Sequence, residues 1–278
     1  MRLVYLIKDF GFVLRLMVFL GAAALLYIPT NASVIVQDAN SLTPLQRQIE
    51  AQRQRLNSSE IEERRDALMK LGSLKRPEAS RAAVSALNDA APIVRVTAAH
   101  AILSLPSQDS APLLIPLLKD KLEFVRREVA RALGETRSRS AVDALSELLL
   151  SDKEASVRAA AATALGQIGD EAAVPVLSQI LSGAPTKKKS KARENEFVLR
   201  AAAQALGEIR SRAAVDDLIA TLADDKNPAD VRRAAATALG LIGDSAALPA
   251  LQAALASEDP YLSEAARQAM RQLRSGKN

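Results

Sequence analysis

Apolar residues recur along this chain at helical spacing, in segments that come in pairs. Within residues 155–182, Val157, Ala160, Ala161, Ala164 and Leu165 share one stripe, and Ala173, Val176, Leu177, Ile180 and Leu181 share the next, with Gly169, Asp170 and Glu171 between them. The spacing predicts two amphipathic helices joined by a short polar turn. The run from Val157-Arg158 to Leu165-Gly166 returns at 231–240 and 125–134, and more loosely at 198–207. Residues 168–177 return nearly letter for letter at 242–251 and in degraded form at 136–145 and 209–218. Internal repetition of this length identifies a repeat array.

With Gly166 as the ruler, equivalent positions fall at Gly72, Leu103, Gly134, Gly166, Gly207, Gly240 and Arg271, in steps of 31, 31, 32, 41, 33 and 31 residues. The long step contains an insertion, 183–196. Helix pairs are predicted over 59–88, 92–120, 123–151, 155–182, 197–223 and 229–256. A single helix at 260–273 follows, whose Arg267, Gln268, Arg271 and Gln272 suit the wet face of a terminal cap. No pair can bury both its stripes alone, so the expected fold class is all-α, an α-solenoid of about six helix pairs plus a C-terminal capping helix. Ser59 and Glu62 have the spacing of a capping box at the first repeat. Repeat two diverges, with Leu103-Ser104-Leu105-Pro106 where other repeats have a Gly-centred turn.

Ahead of the array, residues 1–15 are apolar and basic, 16–28 form an unbroken apolar run closed by Pro29, and Thr30 and Ala32 have the small-residue spacing of a signal-peptidase site. A helix over that run spans about 20 Å, short of the roughly 30 Å hydrocarbon core. Residues 1–32 therefore read as a secretory signal; the alternative is an uncleaved anchor beginning near Phe10, with Arg15 at the cytoplasmic side. Both place the repeats outside the cytoplasm, in the periplasm or at the outer face of the inner membrane. Residues 33–58 read as a polar tether with one helix at 44–56, capped by Thr43 with Pro44 at its first position, and residues 59–278 as the solenoid.

Composition narrows the chemistry. Only 3% of residues are aromatic and Trp is absent, so Ala and Leu must fill the interior; the absence of Cys excludes disulfides, thiolate metal sites and a Cys nucleophile. The net charge of +5 is localised. Residues 1–32 carry Arg2, Lys8 and Arg15 against Asp9, and the insertion carries Lys187, Lys188, Lys189, Lys191 and Arg193 against Glu194 and Glu196. The remainder is balanced, which gives no broad basic face and no expectation of a nucleic-acid partner.

The repeated A-x-V-R-x-x-A-A-x-A-L-G, followed by I-G-D-x-A-A-V-P-x-L, resembles the short HEAT-like repeat of the phycobiliprotein (PBS) lyase family over about 59–273. The resemblance implies a helical solenoid. Arrays like it occur in bilin lyase subunits, in the di-iron hydroxylase that modifies deoxyhypusine, in HEAT-like DNA glycosylases and in scaffolds with no chemistry, so the site must choose among them. The hydroxylase-like implication needs repeated His-Glu pairs to cage two irons. The single histidine, His100, shares a column with Arg131, Thr163, Gln204 and Thr237 and is expected to face water. A glycosylase-like site would want aromatic rings and a basic groove, and no Gly-x-Ser-x-Gly elbow appears. No catalytic, metal or cofactor residue is assigned and no cofactor is expected.

What remains is surface. Asp89, Asp120, Asp152 and Asp225 stand six, six, six and seven residues before Arg95, Arg126, Arg158 and Arg232, which predicts an Asp–Arg bond across each repeat junction. Turns alternate between Arg137-Ser138-Arg139, Gly169-Asp170-Glu171, Arg210-Ser211-Arg212 and Gly243-Asp244-Ser245, predicting pairs between neighbours worth at most about 1 kcal/mol each. The basic insertion, with Lys187, Lys188, Lys189, Lys191 and Arg193, reads either as a docking element for an anionic membrane, envelope polymer or acidic protein, or as a solvated loop. Second helices are expected to line the inner curve of the array, with Asp143, Ser146, Glu147, Ser178, Gln179, Asp216 and Gln252 outward, a mildly acidic groove for a peptide or helix. The expectation is a non-enzymatic protein-interaction scaffold of the cell envelope, with an enzyme-associated member of the HEAT-like family as the alternative.

Overall fold

The computed structural model describes residues 42–183 and 194–275. The chain divides into two units, residues 1–47 and 48–278. Of the first, the described part is the opening of helix α1 (Pro44–Arg55). There the Thr43 amide donates to Gln46 Oε1 at 2.9 Å and the Gln46 amide donates to Thr43 Oγ1 at 3.2 Å, a reciprocal cap in which Pro44 forfeits no bond. The signal or anchor expected within 1–32 lies outside the described residues.

The second unit stacks helix pairs. First helices are α2 (Ile61–Ser73), α4 (Pro92–Ala101), α6 (Glu123–Thr136), α8 (Ala155–Ile168), α10 (Glu196–Ile209) and α12 (Ala229–Ile242). Second helices are α3 (Pro77–Ala83), α5 (Ser107–Leu114), α7 (Val142–Ser151), α9 (Val174–Ser182), α11 (Val215–Ala223) and α13 (Leu248–Ala254), and α14 (Pro260–Ser275) follows as a single helix. No strand occurs among the described residues. The insertion leaves α9 at Gly183, a left-handed cap, and rejoins at Asn195, whose side chain caps α10 by accepting from the Phe197 amide at 2.9 Å.

One continuous core of Ala, Val, Leu and Ile runs from Leu68 to Met270. Fully burying a Leu contributes roughly 1.5–3 kcal/mol, but each layer owns few of them, so the layers hold only by covering one another. First helices approach most closely. A Cβ on Gly134, Gly166 or Gly207 would lie 2.9, 2.7 or 2.7 Å from the Cα of Ala164, Ala205 or Ala238 on the next first helix, and one on Gly240 would lie 2.8 Å from the Cα of Ala269 on α14. Only glycine admits that contact. These glycines sit inside the last turns of α6, α8, α10 and α12, and the expected Gly-centred connecting turn is found in repeats four and six. The connecting turns are made by Gly169 and Gly243 at φ 72° and 76°, and by Arg137 and Arg210, which accept φ of 51° and 59°.

Three local expectations are corrected. Ser59 and Glu62 form no capping box: Glu60 takes the N-cap position without a side-chain bond, and Glu62 pairs with Arg65 at 3.0 Å. Gln272 does not belong to the wet face of α14, because its Oε1 lies over Gly240. The second halves of repeats one and two end as 3-10 stretches, Val84–Asn88 and Ile115–Lys119. In repeat two Pro112 and Pro116 each withhold an amide from the helix ladder.

Candidate functional site

The repeat junctions are joined by a ladder of buried ions, laid out differently from the expected Asp–Arg pairing. Arg64, Arg95 and Arg126 each fork onto an aspartate 25 or 26 residues further on: Nε and Nη2 of Arg126 reach the Asp152 carboxylate at 2.6 and 3.0 Å, Arg95 reaches Asp120 at 2.8 and 3.1 Å, and Arg64 reaches Asp89 at 2.7 and 2.9 Å. The aspartate six residues before each arginine offers its backbone carbonyl instead, from Asp89 to Arg95 at 2.8 Å and from Asp120 to Arg126 at 2.9 Å. The spacing of six therefore marks a real contact with the wrong atom. Asp225 leaves the pattern altogether: it is exposed, and Arg232 Nε donates to the Leu222 carbonyl at 2.9 Å.

The ladder's electrostatics follow from its burial. Burial pushes the Asp152 carboxyl up, but the bond from Arg126, the Glu154 amide and the charges of Arg126 and Arg158 outweigh it and hold the group below the ordinary carboxylate range. Asp89 is lowered by the same balance, against Arg64, the Ala91 amide and Arg95. The Asp152 bond in turn raises the Arg126 guanidinium. At the insertion Glu194 replaces the aspartate. Its Oε1 meets Arg158 Nη2 at 2.8 Å, while Arg158 Nε has no hydrogen-bond partner and burial pulls this guanidinium below its ordinary value.

Above this ladder the second-helix face opens into a cleft of about 650 Å³ between α7 and the 3-10 stretch Ile115–Lys119. Ile115, Leu118, Ala144 and Leu148 give it apolar walls, and Arg126 and Asp152 belong to its lining. Asp143 and Glu147, one helical turn apart on α7, line the same cleft and are exposed. Of the other predicted residues of this row, Ser146 is half-buried on α7, Gln179 half-buried on α9, and Asp216 and Gln252 exposed on α11 and α13. Ser178 is not outward as expected, because its hydroxyl is buried in α9. The five basic candidates Lys187, Lys188, Lys189, Lys191 and Arg193 lie outside the described residues. Sequence reasoning missed Ile115, Leu118 and Ala144, because apolar cleft walls read as ordinary core positions until two layers are set side by side.

The turn pairs form as expected, Arg139 with Asp170 at 3.2 Å and Arg212 with Asp244 at 3.6 Å. Three arginines also stack over aromatic rings, Arg127 on Phe124, Arg200 on Phe197 and Arg233 on Tyr261, at 5.7, 5.2 and 5.4 Å from the ring centres. Of the stacked pairs, only Arg233 on Tyr261 joins two helices; the other two lie within the first turns of α6 and α10.

A family model described as HEAT repeats matches residues 49–130, 123–195 and 188–271. This chain belongs to the HEAT-repeat family. No curated protein matches it. Among solved structures it is similar to the CpcE–CpcF complex of phycocyanin lyase from Nostoc sp. PCC7120, with 25% identity over 82% of this chain and 94% of that one at a TM-score of 0.49. It is similar to human deoxyhypusine hydroxylase, with 22% identity over 82% and 96% at a TM-score of 0.40, and to an engineered protein, with 21% identity over 81% and 68% at 0.46. In this HEAT-repeat chain His100 is exposed, as are Arg131, Thr163, Gln204 and Thr237 of its column. Among the described residues no three His, Asp or Glu side chains converge to hold a metal ion.

Proposed function

We propose that this chain is a non-enzymatic interaction scaffold that holds a protein partner on the face formed by its second helices. The observation that carries the reading is the apolar-walled cleft beside α7, where Asp143 and Glu147 have no hydrogen-bond or ion-pair partner among the described residues. An open, partly apolar groove flanked by unspent polar groups suits recognition of a chain segment. The decisive experiment is capture by cross-linking from the native envelope fraction, with wild type beside an Asp143→Arg/Glu147→Arg variant. The scaffold reading expects a discrete partner that the variant loses; turnover retained by homogeneous, demetallated protein would overturn it.

The same proposal places the array outside the cytoplasm, in the periplasm or tethered to the outer face of the inner membrane, on the strength of the apolar run at 16–28 and the small residues Thr30 and Ala32. Among the described residues no helix is long and apolar enough to cross a membrane. Intact mass of the fractionated protein distinguishes a cleaved signal from a retained anchor. The basic run at 187–193 is proposed as an auxiliary dock for an anionic lipid surface or envelope polymer. Replacing its four lysines with glutamine is expected to abolish binding to anionic vesicles at low salt, and unchanged binding would leave it a solvated loop.

A further inference from the structure

From the second repeat on, the second helices carry acids without cations: α5, α7, α9, α11 and α13 hold Asp109, Asp143, Glu147, Asp216 and Asp217 and no Lys or Arg, although α3 holds both Glu78 and Arg81. The first helices mix both signs, with Arg126, Arg127 and Arg131 beside Glu123, Glu128 and Glu135 on α6. The acids of the second row therefore lack cations on their own helices. Within that row the cleft is where charge meets apolar surface. Its Asp120 and Asp152 carboxylates are already forked by Arg95 and Arg126, so they attract little further charge. Asp143 and Glu147 are like charges a turn apart that repel each other and would both gain from one cation between them. Of the positive groups at the cleft, Lys153 leans towards Glu154 at 3.7 Å, while Lys119, on the 3-10 stretch, adds one cation to the lining across from α7. That arrangement disfavours a run of lysines and favours one cationic side chain with aliphatic neighbours.

We infer that the cleft takes an extended segment of a partner protein in which an arginine or lysine is flanked by aliphatic residues. The cation sits between Asp143 and Glu147, and the aliphatic side chains rest on Ile115, Leu118 and Leu148. This rests on the scaffold reading and gives it a partner chemistry.

The test is fluorescence anisotropy of the full chain with three labelled nonapeptides of polar flanks around Leu-Arg-Leu, Leu-citrulline-Leu or Leu-Glu-Leu. Citrulline keeps the shape of arginine and removes its charge. Saturable binding is expected for the arginine peptide, about tenfold weaker for the citrulline peptide and none for the glutamate peptide. Asp143→Asn/Glu147→Gln should weaken the arginine peptide about tenfold and leave the citrulline peptide unchanged, while Glu135→Gln, exposed on the first helix α6, moves neither. Ala144→Trp, folded by circular dichroism, should fill the cleft and remove both. Equal binding of arginine and citrulline peptides, no binding of any of the three, or an undiminished double variant overturns the inference. If the peptides bind without charge preference and Ala144→Trp abolishes that binding, the second-helix face survives as a docking surface without charge selection; if Ala144→Trp leaves it unchanged, the scaffold face itself is lost. Concentration-dependent dimerisation that the double variant abolishes would make a second copy of this chain the occupant and likewise overturn the inference.

Discussion

The junctions on either side of α8 make the same joint in two ways. Towards repeat three, Arg126 forks onto Asp152 with two short bonds, and both side chains are about nine-tenths or more buried, at 10% and 5% exposure. Towards repeat five, the insertion displaces the aspartate, and Glu194 meets Arg158 through one nitrogen while Nε finds no partner. The packing does not register the difference: Gly166 lies against Ala205 at least as closely as Gly134 lies against Ala164. Close approach of small residues therefore sets the spacing of the layers, and the ion ladder adapts to it.

The largest effect should come from breaking the regular joint. Arg126→Leu strands Asp152 as a buried charge and is expected to cost about 3 kcal/mol, read as a lower urea midpoint. Arg158→Leu should cost clearly less, because the guanidinium it removes is already imperfectly paired and lowered by burial. Equal losses would mean that Glu194 is as good a partner as the aspartate, and the contrast between the junctions would disappear.

The glycine contact comes next. Gly→Ala inside a helix ordinarily gains up to about 1 kcal/mol, but a Cβ at Gly166 would stand 2.7 Å from the Ala205 backbone and must push two layers apart. Overpacking of that kind costs about 1–3 kcal/mol, so Gly166→Ala should be net destabilising, by about 1 kcal/mol. Gly134→Ala should behave alike, since both junctions share the packing. A neutral Gly166→Ala beside a damaging Gly134→Ala would show that the insertion has loosened its junction after all.

Acid should weaken the regular joint through its carboxylates. Asp152 and Asp89 have folded values below their unfolded ones. Their contribution is therefore present above the unfolded carboxylate value, near 4, and is lost as pH falls through the lower folded values. The melting temperature of wild type should drop on acidification below about pH 4, and Asp152→Asn should flatten part of that limb. An identical acid limb in the variant would remove Asp152 from the account.

How much of this could be read beforehand depended on whether a feature repeats. The period, the bounds of α8 and α12, the Arg139–Asp170 turn pair and the Thr43 cap each followed from local chemistry stated many times or in few residues. The ladder was half legible: Arg126 lies six residues after Asp120, but its side chain runs down its own layer to Asp152, a partner close only once both helices have folded back. The Ser59 box failed on register, because the helix begins at Ile61 with Glu60 as its N-cap and Ser59 stands one residue too early. For the cleft, Asp143 and Glu147 could be named from their outward register, whereas Ile115 and Leu118 are walls only because the 3-10 end of repeat two lies beside α7, a neighbour that the spacing within one repeat does not show.

The smallest effect concerns the residue that covers each glycine from the following layer. Gln167 lies over Gly134 and Gln272 over Gly240, but Glu208 lies over Gly166. Glu208 is exposed as a residue, yet burial of its carboxyl raises it above the ordinary range. A raised carboxyl means that ionisation at neutral pH opposes folding and that the penalty fades as pH falls through the folded value. Glu208→Gln should therefore stabilise the chain at pH 7, by about 0.3 kcal/mol given the solvent screening at such a site, and by nothing below about pH 4, where wild type is itself protonated. A gain that persists unchanged at low pH would trace to shape and not charge, and the amide would then be the better cover for the contact with Ala205 in its own right.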